Sequence, residues 1–331
     1  MISGHTKMEN NLSKIGIEVI DLQIKALRKL KNSLDDSFDN AVKILLKCKS
    51  KVIICGVGKS GIIASKISAT LASVGTPSFT ISASDCSHGD LGRITKKDIL
   101  ILISYSGNTL ELKNIIRYAK VNKIPLIGIV SNKDSELYKF SKIKLLLPEV
   151  LEAGYGIVPT SSTTTQLAIG DALAIALMKK KNFGRLDFKK FHPSGSLGKK
   201  LKTAGDLMLT GKKIPFINEH ELMKKALNIL NLKGLGFVVA INKKGLTTGI
   251  FTDGDLKRLI QKKVKINNLK LKTFMTKDPF MIEKNILASD VLKQMNKRKI
   301  TNAIVYQKEN KKKTIGVLHI HNLIQNFKMN D

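Results

Sequence analysis

The chain has 331 residues, 43% of them hydrophobic and 25% charged. That length and balance suit a globular protein with one large core plus a smaller module. The formal net charge of +31 would suit a nucleic-acid partner, but only six of the 57 basic residues are arginines, aromatics make up 5% and Trp is absent. Base reading and base stacking would lack their usual side chains, and the lysines are spread along the chain, so no nucleic-acid partner is expected. No apolar run approaches the roughly 18 residues of a membrane span, and the N-terminus has no apolar signal core. Cys48, Cys55 and Cys86 form no C-x-x-C pair. A reducing, cytoplasmic setting without membrane contact follows.

Residues 8–48 carry amphipathic helical spacing through Ile15, Val19, Ile20, Ile24, Leu27 and Leu30, then Phe38, Ala41, Val42 and Leu45, with a break expected near Ser37-Phe38-Asp39. This N-terminal helical segment, 1–48, is expected to pack on the following domain or on another subunit. Strands and helices then alternate. Strands are predicted over Lys51–Cys55, Pro77–Ser82, Asp98–Ser104, Ile124–Val130 and Ile143–Leu147, and helices over Ser60–Val74, Leu110–Asn122 and Ser162–Lys180. Such alternation predicts an α/β fold, a doubly wound parallel sheet with helices on both faces, over 49–202. Ligands of such sheets sit at the carboxyl ends of the strands. Beyond His192-Pro193 come two similar segments, 205–262 and 272–328. Met208 matches Met275, Val238 matches Ile304 and Gly249 matches Gly316. This internal duplication predicts a C-terminal α+β module of two copies packed about a pseudo-twofold axis.

Several loops carry chemistry. Ser104-Tyr105-Ser106-Gly107-Asn108-Thr109-Leu110-Glu111 joins a strongly apolar strand to a helix start. Backbone N–H groups, the helix dipole and the hydroxyls of Ser104, Ser106 and Thr109 suit an anion, and Glu111 stands within a turn of it as a proton carrier. A turn that merely caps a helix is the plainer alternative. Gly56-Val57-Gly58-Lys59-Ser60-Gly61 follows a strand and precedes a helix, as a dinucleotide fingerprint does. The next strand, however, ends in Ser82-Ala83-Ser84 instead of an acidic residue, and Ile53 stands where a P-loop needs Gly. The surviving reading is a glycine turn carrying Lys59 and Ser60 toward an anion. His88, in a glycine-containing loop, Glu152, ahead of the hydroxyl-rich helix start Thr160-Ser161-Ser162-Thr163, and His192 are each ambiguous alone. Together they place one Lys, two Glu and two His in loops able to meet at one sheet edge.

Taken in order, Gly56-x-Gly58-Lys59-Ser60-Gly61, His88-Gly89-Asp90-Leu91-Gly92, Ser104-x-Ser106-Gly107, the 159–164 run, Gly170-Asp171-Ala172-Leu173 and His192-Pro193 closely resemble the arabinose 5-phosphate isomerases. These are sugar-isomerase (SIS) domain proteins, Rossmann-like, followed by two cystathionine-β-synthase (CBS) motifs, and the resemblance covers nearly the whole chain. It implies interconversion of D-ribulose 5-phosphate and D-arabinose 5-phosphate without a cofactor, supply of Kdo synthesis for lipopolysaccharide or capsule, and a homotetramer. By the same resemblance Lys59, His88, Glu111, Glu152 and His192 are catalytic, and Gly75-Thr76 contacts substrate. With Gly58, Ser60, Ser104, Ser106, Gly107, Thr109 and Thr160 to Thr163 they make up the expected site. Ser82 stands where many relatives carry a metal-binding histidine six residues before His88, so no metal is expected. Thr252 and Asp255 keep the nucleotide-contacting signature of the first CBS motif, whereas His319 and Asn322 replace it in the second. A nucleotide or CMP-Kdo is the implied regulator.

The expected chemistry is proton transfer between C1 and C2 through an enediolate. Glu152 or His192 is the base, Lys59 stabilises charge, and His88 and Glu111 serve ring opening and proton relay. A sugar-phosphate-sensing regulator, or an isomerase of a hexulose 6-phosphate, are the alternatives. No helix-turn-helix is evident in the first 45 residues to support the regulator.

Overall fold

The computed structural model describes residues 12–192, 201–266 and 268–328. The chain divides into two compact units, Met1–Phe188 and Lys189–Asp331.

The first unit opens with helices α1 (Leu12–Ser33) and α2 (Asp36–Leu46). The break between them falls at Leu34-Asp35, slightly ahead of the expected place, because the Asp35 carboxylate accepts from Ser37 N and starts α2 as its N-cap. Five strands follow: β1 (Val52–Gly56), β2 (Ser78–Thr80), β3 (Ile99–Ile103), β4 (Leu126–Val130) and β5 (Ile143–Leu146). They form one sheet in the order β2-β1-β3-β4-β5, with every neighbouring pair parallel. β3 and β4 are buried along their whole length, as expected of apolar runs covered on both faces. One face packs against α2, α3 (Lys59–Ser73) and α7 (Ser161–Lys180) through Leu45, Ile67, Leu71, Ile169 and Leu173. The other packs against α4 (Ala83–Cys86), α5 (Lys113–Val121) and α6 (Glu136–Phe140) through Cys86, Ile115, Ile116, Ala119 and Leu137. The helix expected from Leu110 begins as a tighter 3₁₀ turn over Leu110–Leu112 before α5.

In this order the chain leaves β1 toward β2 on one side and leaves β3 toward β4 on the other. The loops after β1 and β3 therefore diverge, which opens a crevice at the carboxyl edge. Helix α8 (Arg185–Phe191) closes this part of the chain.

The second unit holds the duplication. β6 (Phe216–Asn218), β7 (Phe237–Ile241) and β8 (Thr247–Thr252) form one small sheet, and β9 (Met281–Glu283), β10 (Asn302–Gln307) and β11 (Asn310–His319) form the other. Helices α9 (Ala204–Leu207), α10 (Met223–Lys233), α11 (Asp253–Gln261), α12 (Ala288–Arg298) and α13 (Ile320–Lys328) accompany them. The copies exchange their leading segments: Leu209, ahead of the first sheet, pairs with Val317 of β11, while Thr276, ahead of the second, pairs with Ile250 of β8. Two glycines allow this close approach. A Cβ at Gly316 would meet Met208 Sδ at 2.3 Å, and one at Gly249 would meet Met275 Sδ at 2.8 Å. Ile214, Phe237, Val239, Ile304 and Val317 fill the core between the sheets.

Candidate active site

A cleft of about 470 Å³ lies at the crevice of the first unit, lined by Gly56, Gly58, Gly61, Thr80, Ser82 and Glu111 among others. Its floor depends on close packing of the turn after β1. A Cβ on Gly56 would meet Ser60 O at 2.7 Å, and one on Gly61 would meet Gly56 O at 2.8 Å, so strand end and helix start touch backbone to backbone. Lys59 is exposed and opens α3, between the lining residues Gly58 and Gly61. Ser82 caps α4 by accepting from Asp85 N. Glu111 reaches the cleft from the 3₁₀ turn.

The loop after β3 runs along the same edge. Ser104, 3% exposed, accepts from Gly107 N at 3.0 Å, and its hydroxyl pairs with Thr109 Oγ1 at 2.7 Å. Ser104 thus holds the loop closed, whereas Ser106 is exposed. Gly107 has φ +72°, and a Cβ there would meet Ser135 Oγ at 2.2 Å. Its carbonyl accepts from Leu137 N at 3.2 Å, which ties the loop to α6. Tyr105 links the loops after three strands. Its carbonyl accepts from Ser131 N and Oγ, while its phenol donates to Pro148 O at 3.3 Å and accepts from Val150 N at 3.0 Å.

That brace leads to Glu152, whose carboxylate caps the long helix α7. Oε2 accepts from Thr160 N and Ser161 N, both at 2.8 Å, and from Thr160 Oγ1 at 3.1 Å, while Ser162 N lies 3.3 Å from both oxygens. Partial burial pushes this carboxyl up, but the hydrogen bonds from Ser162, Thr160 and Ser161 outweigh it and hold the group below its ordinary value. The helix N-terminus that the sequence offers to a phosphate is thus already occupied by a carboxylate of the chain itself. Thr163 Oγ1 donates to the carbonyl of Thr160 at 2.9 Å. Among the described residues, Ser161 Oγ and both amide atoms of Gln166 are buried without a partner in the first turns of the same helix. Sequence reading misses Gln166 and Tyr105. The signal for Gln166 is a long polar side chain on the helix face that continues as Ile169, Gly170, Leu173, Ala174 and Leu177.

His88 is exposed in the turn after α4. His192 follows α8 and falls in the second unit, where Lys189 and Asp206 form an ion pair. Gly75 and Thr76 precede β2 and so lie at the amino edge of the sheet, away from the cleft of the same chain. Thr76 is 2% exposed, and Lys181 Nζ donates to its hydroxyl at 2.8 Å and to Gly75 O at 3.0 Å. Burial pushes the Lys181 ammonium below its ordinary pKa. In the second unit Thr252 and Asp255 form a capping box, and Asp255 also pairs with Arg258. They line a separate cleft of about 470 Å³ with Asn302 and His319. No described helix is long and apolar enough to cross a membrane.

The sheet order, the crevice and the duplicated module define an SIS-domain protein with a CBS pair, and the chain matches the SIS domain family over 44–176 and the CBS domain family over 204–262 and 271–328. It is 41% identical to arabinose 5-phosphate isomerase KdsD of Francisella tularensis, over 93% of this chain and 95% of that protein. It is 38% identical to KdsD of Yersinia pestis, over 95% and 96%. A solved structure of the E. coli CFT073 protein c3406 in complex with arabinose 5-phosphate aligns with 39% identity and a TM-score of 0.53, covering 56% of this chain and all of that one. The chain belongs to the arabinose 5-phosphate isomerase family, whose members are aldose–ketose isomerases.

Proposed function

We propose that this chain interconverts D-ribulose 5-phosphate and D-arabinose 5-phosphate through an enediolate, and that the product feeds Kdo synthesis for lipopolysaccharide or capsule in the cytoplasm. The observation that carries this reading is the β1/β3 crevice, where Glu111 faces the glycine turn of Lys59 beside a hydroxyl loop braced for an anion. Among the described residues no hydrogen bond ties the Glu111 carboxylate, so it is free to relay a proton, with His88 serving ring opening. Lys59 stabilises the enediolate oxygens or the phosphate. Ser106 and Thr109 anchor the phosphate, with Ser104 and Gly107 shaping the loop. The donors crowding Glu152 weaken it as a base, which favours His192 for the carbon-bound proton and leaves Glu152 as a fixed negative charge and helix cap. The full chain is incubated with D-ribulose 5-phosphate in deuterated water and followed by NMR. Arabinose 5-phosphate carrying deuterium at C2 is expected, and binding without turnover would sink the reading in favour of a sensor.

Assembly as a homotetramer is part of the same proposal. It is supported by exposed Leu12, Ile15, Ile17, Ile20 and Ile24 on α1, and by Leu151, Tyr155 and Ile157 beside Glu152. A nucleotide or CMP-Kdo in the cleft of Thr252 and Asp255 is the proposed regulator. The buried, unpartnered Asn302 Oδ1 there can accept a hydrogen bond from a ligand.

A further inference from the structure

We propose that the CBS pair carries a second ligand site, at the ends of β8 and β10 opposite the cleft of Thr252 and Asn302, and that it takes a nucleoside di- or triphosphate. β8 begins at Thr247 and ends at Thr252, and β10 begins at Asn302 and ends at Gln307. The signature cleft uses Thr252 and Asn302, whereas this one uses Thr247 and Tyr306. The two sites therefore lie at opposite strand ends. The cleft measures about 680 Å³, within the usual range of small-molecule sites. Thr247 and Thr314, equivalent positions of the duplication 67 residues apart, join their hydroxyls at 2.5 Å. The cleft therefore straddles the pseudo-twofold axis.

Its chemistry is not symmetric about that axis. Lys272, Lys277, Lys311 and Lys312 line it. At the same offset the first copy has Gly205, Thr210, Lys244 and Gly245. Three of the four ammonium groups thus have no counterpart, so the charge is not imposed by the duplication: Lys272 and Lys277 come from the exchanged leading segment beside the first sheet, and Lys311 and Lys312 from the β10–β11 hairpin of the second. Lys272 lies 3.3 Å from Glu219. Among the described residues Lys277, Lys311 and Lys312 have no carboxylate partner, and Asp278 is the other acidic group in the lining. Several ammoniums around one cleft match a di- or triphosphate better than a single phosphate monoester. Leu246, Met275, Met281 and the Tyr306 ring add apolar surface for a flat base. Glu219, 6% exposed, offers a fixed acceptor for an amine or ribose hydroxyl.

The test is calorimetric titration of ATP into the full-length protein at physiological ionic strength, which screens diffuse attraction. The exposed pair Lys311→Ala/Lys312→Ala should weaken binding, or one of two binding phases, at least tenfold. Lys243→Ala/Lys244→Ala removes the same charge from the equivalent first-copy turn, which does not line the cleft except at Asn242 and Leu246, and should leave binding unchanged. Equal losses from both pairs would reduce the effect to general electrostatics and overturn the proposal. So would absence of ATP binding, or binding untouched by Lys311→Ala/Lys312→Ala and lost only with Asp255→Ala.

Discussion

Glu152→Gln isolates the role of one carboxylate that the chain spends on its own helix. Glu152 Oε2 takes two backbone N–H groups at 2.8 Å and the Thr160 hydroxyl at 3.1 Å. Glutamine keeps one carbonyl acceptor but turns the other oxygen into a donor that faces N–H groups, and it removes the negative charge from the positive end of the helix dipole. Loss of a capping acceptor costs about 1 kcal/mol, and loss of a partly buried charge at a helix N-terminus costs about another 1 kcal/mol. For a unit of this size, about 2 kcal/mol lowers Tm by about 4–8 °C. The pH dependence has a definite sign. The folded pKa lies below the ordinary value of 4.5, so the contribution is complete above that value and is lost as pH falls through the lower folded one. Thermal unfolding followed by circular dichroism should show a constant gap between native and variant proteins from about pH 5.5 to 8, closing in more acid solution. An unchanged Tm at pH 7, or a gap that widens toward acid, would refute the capping argument.

Other substitutions probe the anion loop. Gly107→Ala puts a methyl group 2.2 Å from Ser135 Oγ at φ +72°, and should cost more than the 1–2 kcal/mol or so of left-handed strain alone, read as a drop in urea midpoint together with a raised KM. Ser106→Ala should raise KM roughly tenfold with Tm unchanged, in keeping with loss of one charge-assisted bond of about 1.5–3 kcal/mol. Ser104→Ala should also lower stability, since it unties Gly107 and Thr109; identical behaviour of the two variants would show that Ser104 does not shape the loop. Burial pushes the Cys55 thiol up to about 12 and the Cys86 thiol up to about 11, so at pH 8 a thiol reagent followed by mass spectrometry should label Cys48 first. Turnover should survive dialysis against a chelator, and loss with rescue by a divalent ion would refute metal-free catalysis.

The sheet and the duplication were legible along the chain because each leaves a local trace. The apolar run Ile99–Ile103 reads as a strand covered on both faces, and Gly56-x-Gly58 with Gly61 marks a tight strand-to-helix turn. Met208 and Met275 recur with Gly249 and Gly316 at nearly constant offset, which betrays two copies. Which groups meet was decided only by tertiary structure, because meeting depends on strand order and on side-chain partners far apart in sequence. The order β2-β1-β3 opened the crevice and brought Glu111 to Gly58, while Gly75 and Thr76 were left at the other end of β2. The hydroxyls of 160–163 read along the chain as help for a phosphate anchor, and only the fold brings the Glu152 carboxylate onto the same helix N-terminus. Nor does a repeat reveal that its copies exchange leading segments: the sulfurs of Met208 and Met275 each pack on the other copy's glycine, a contact that exists only once both sheets are formed.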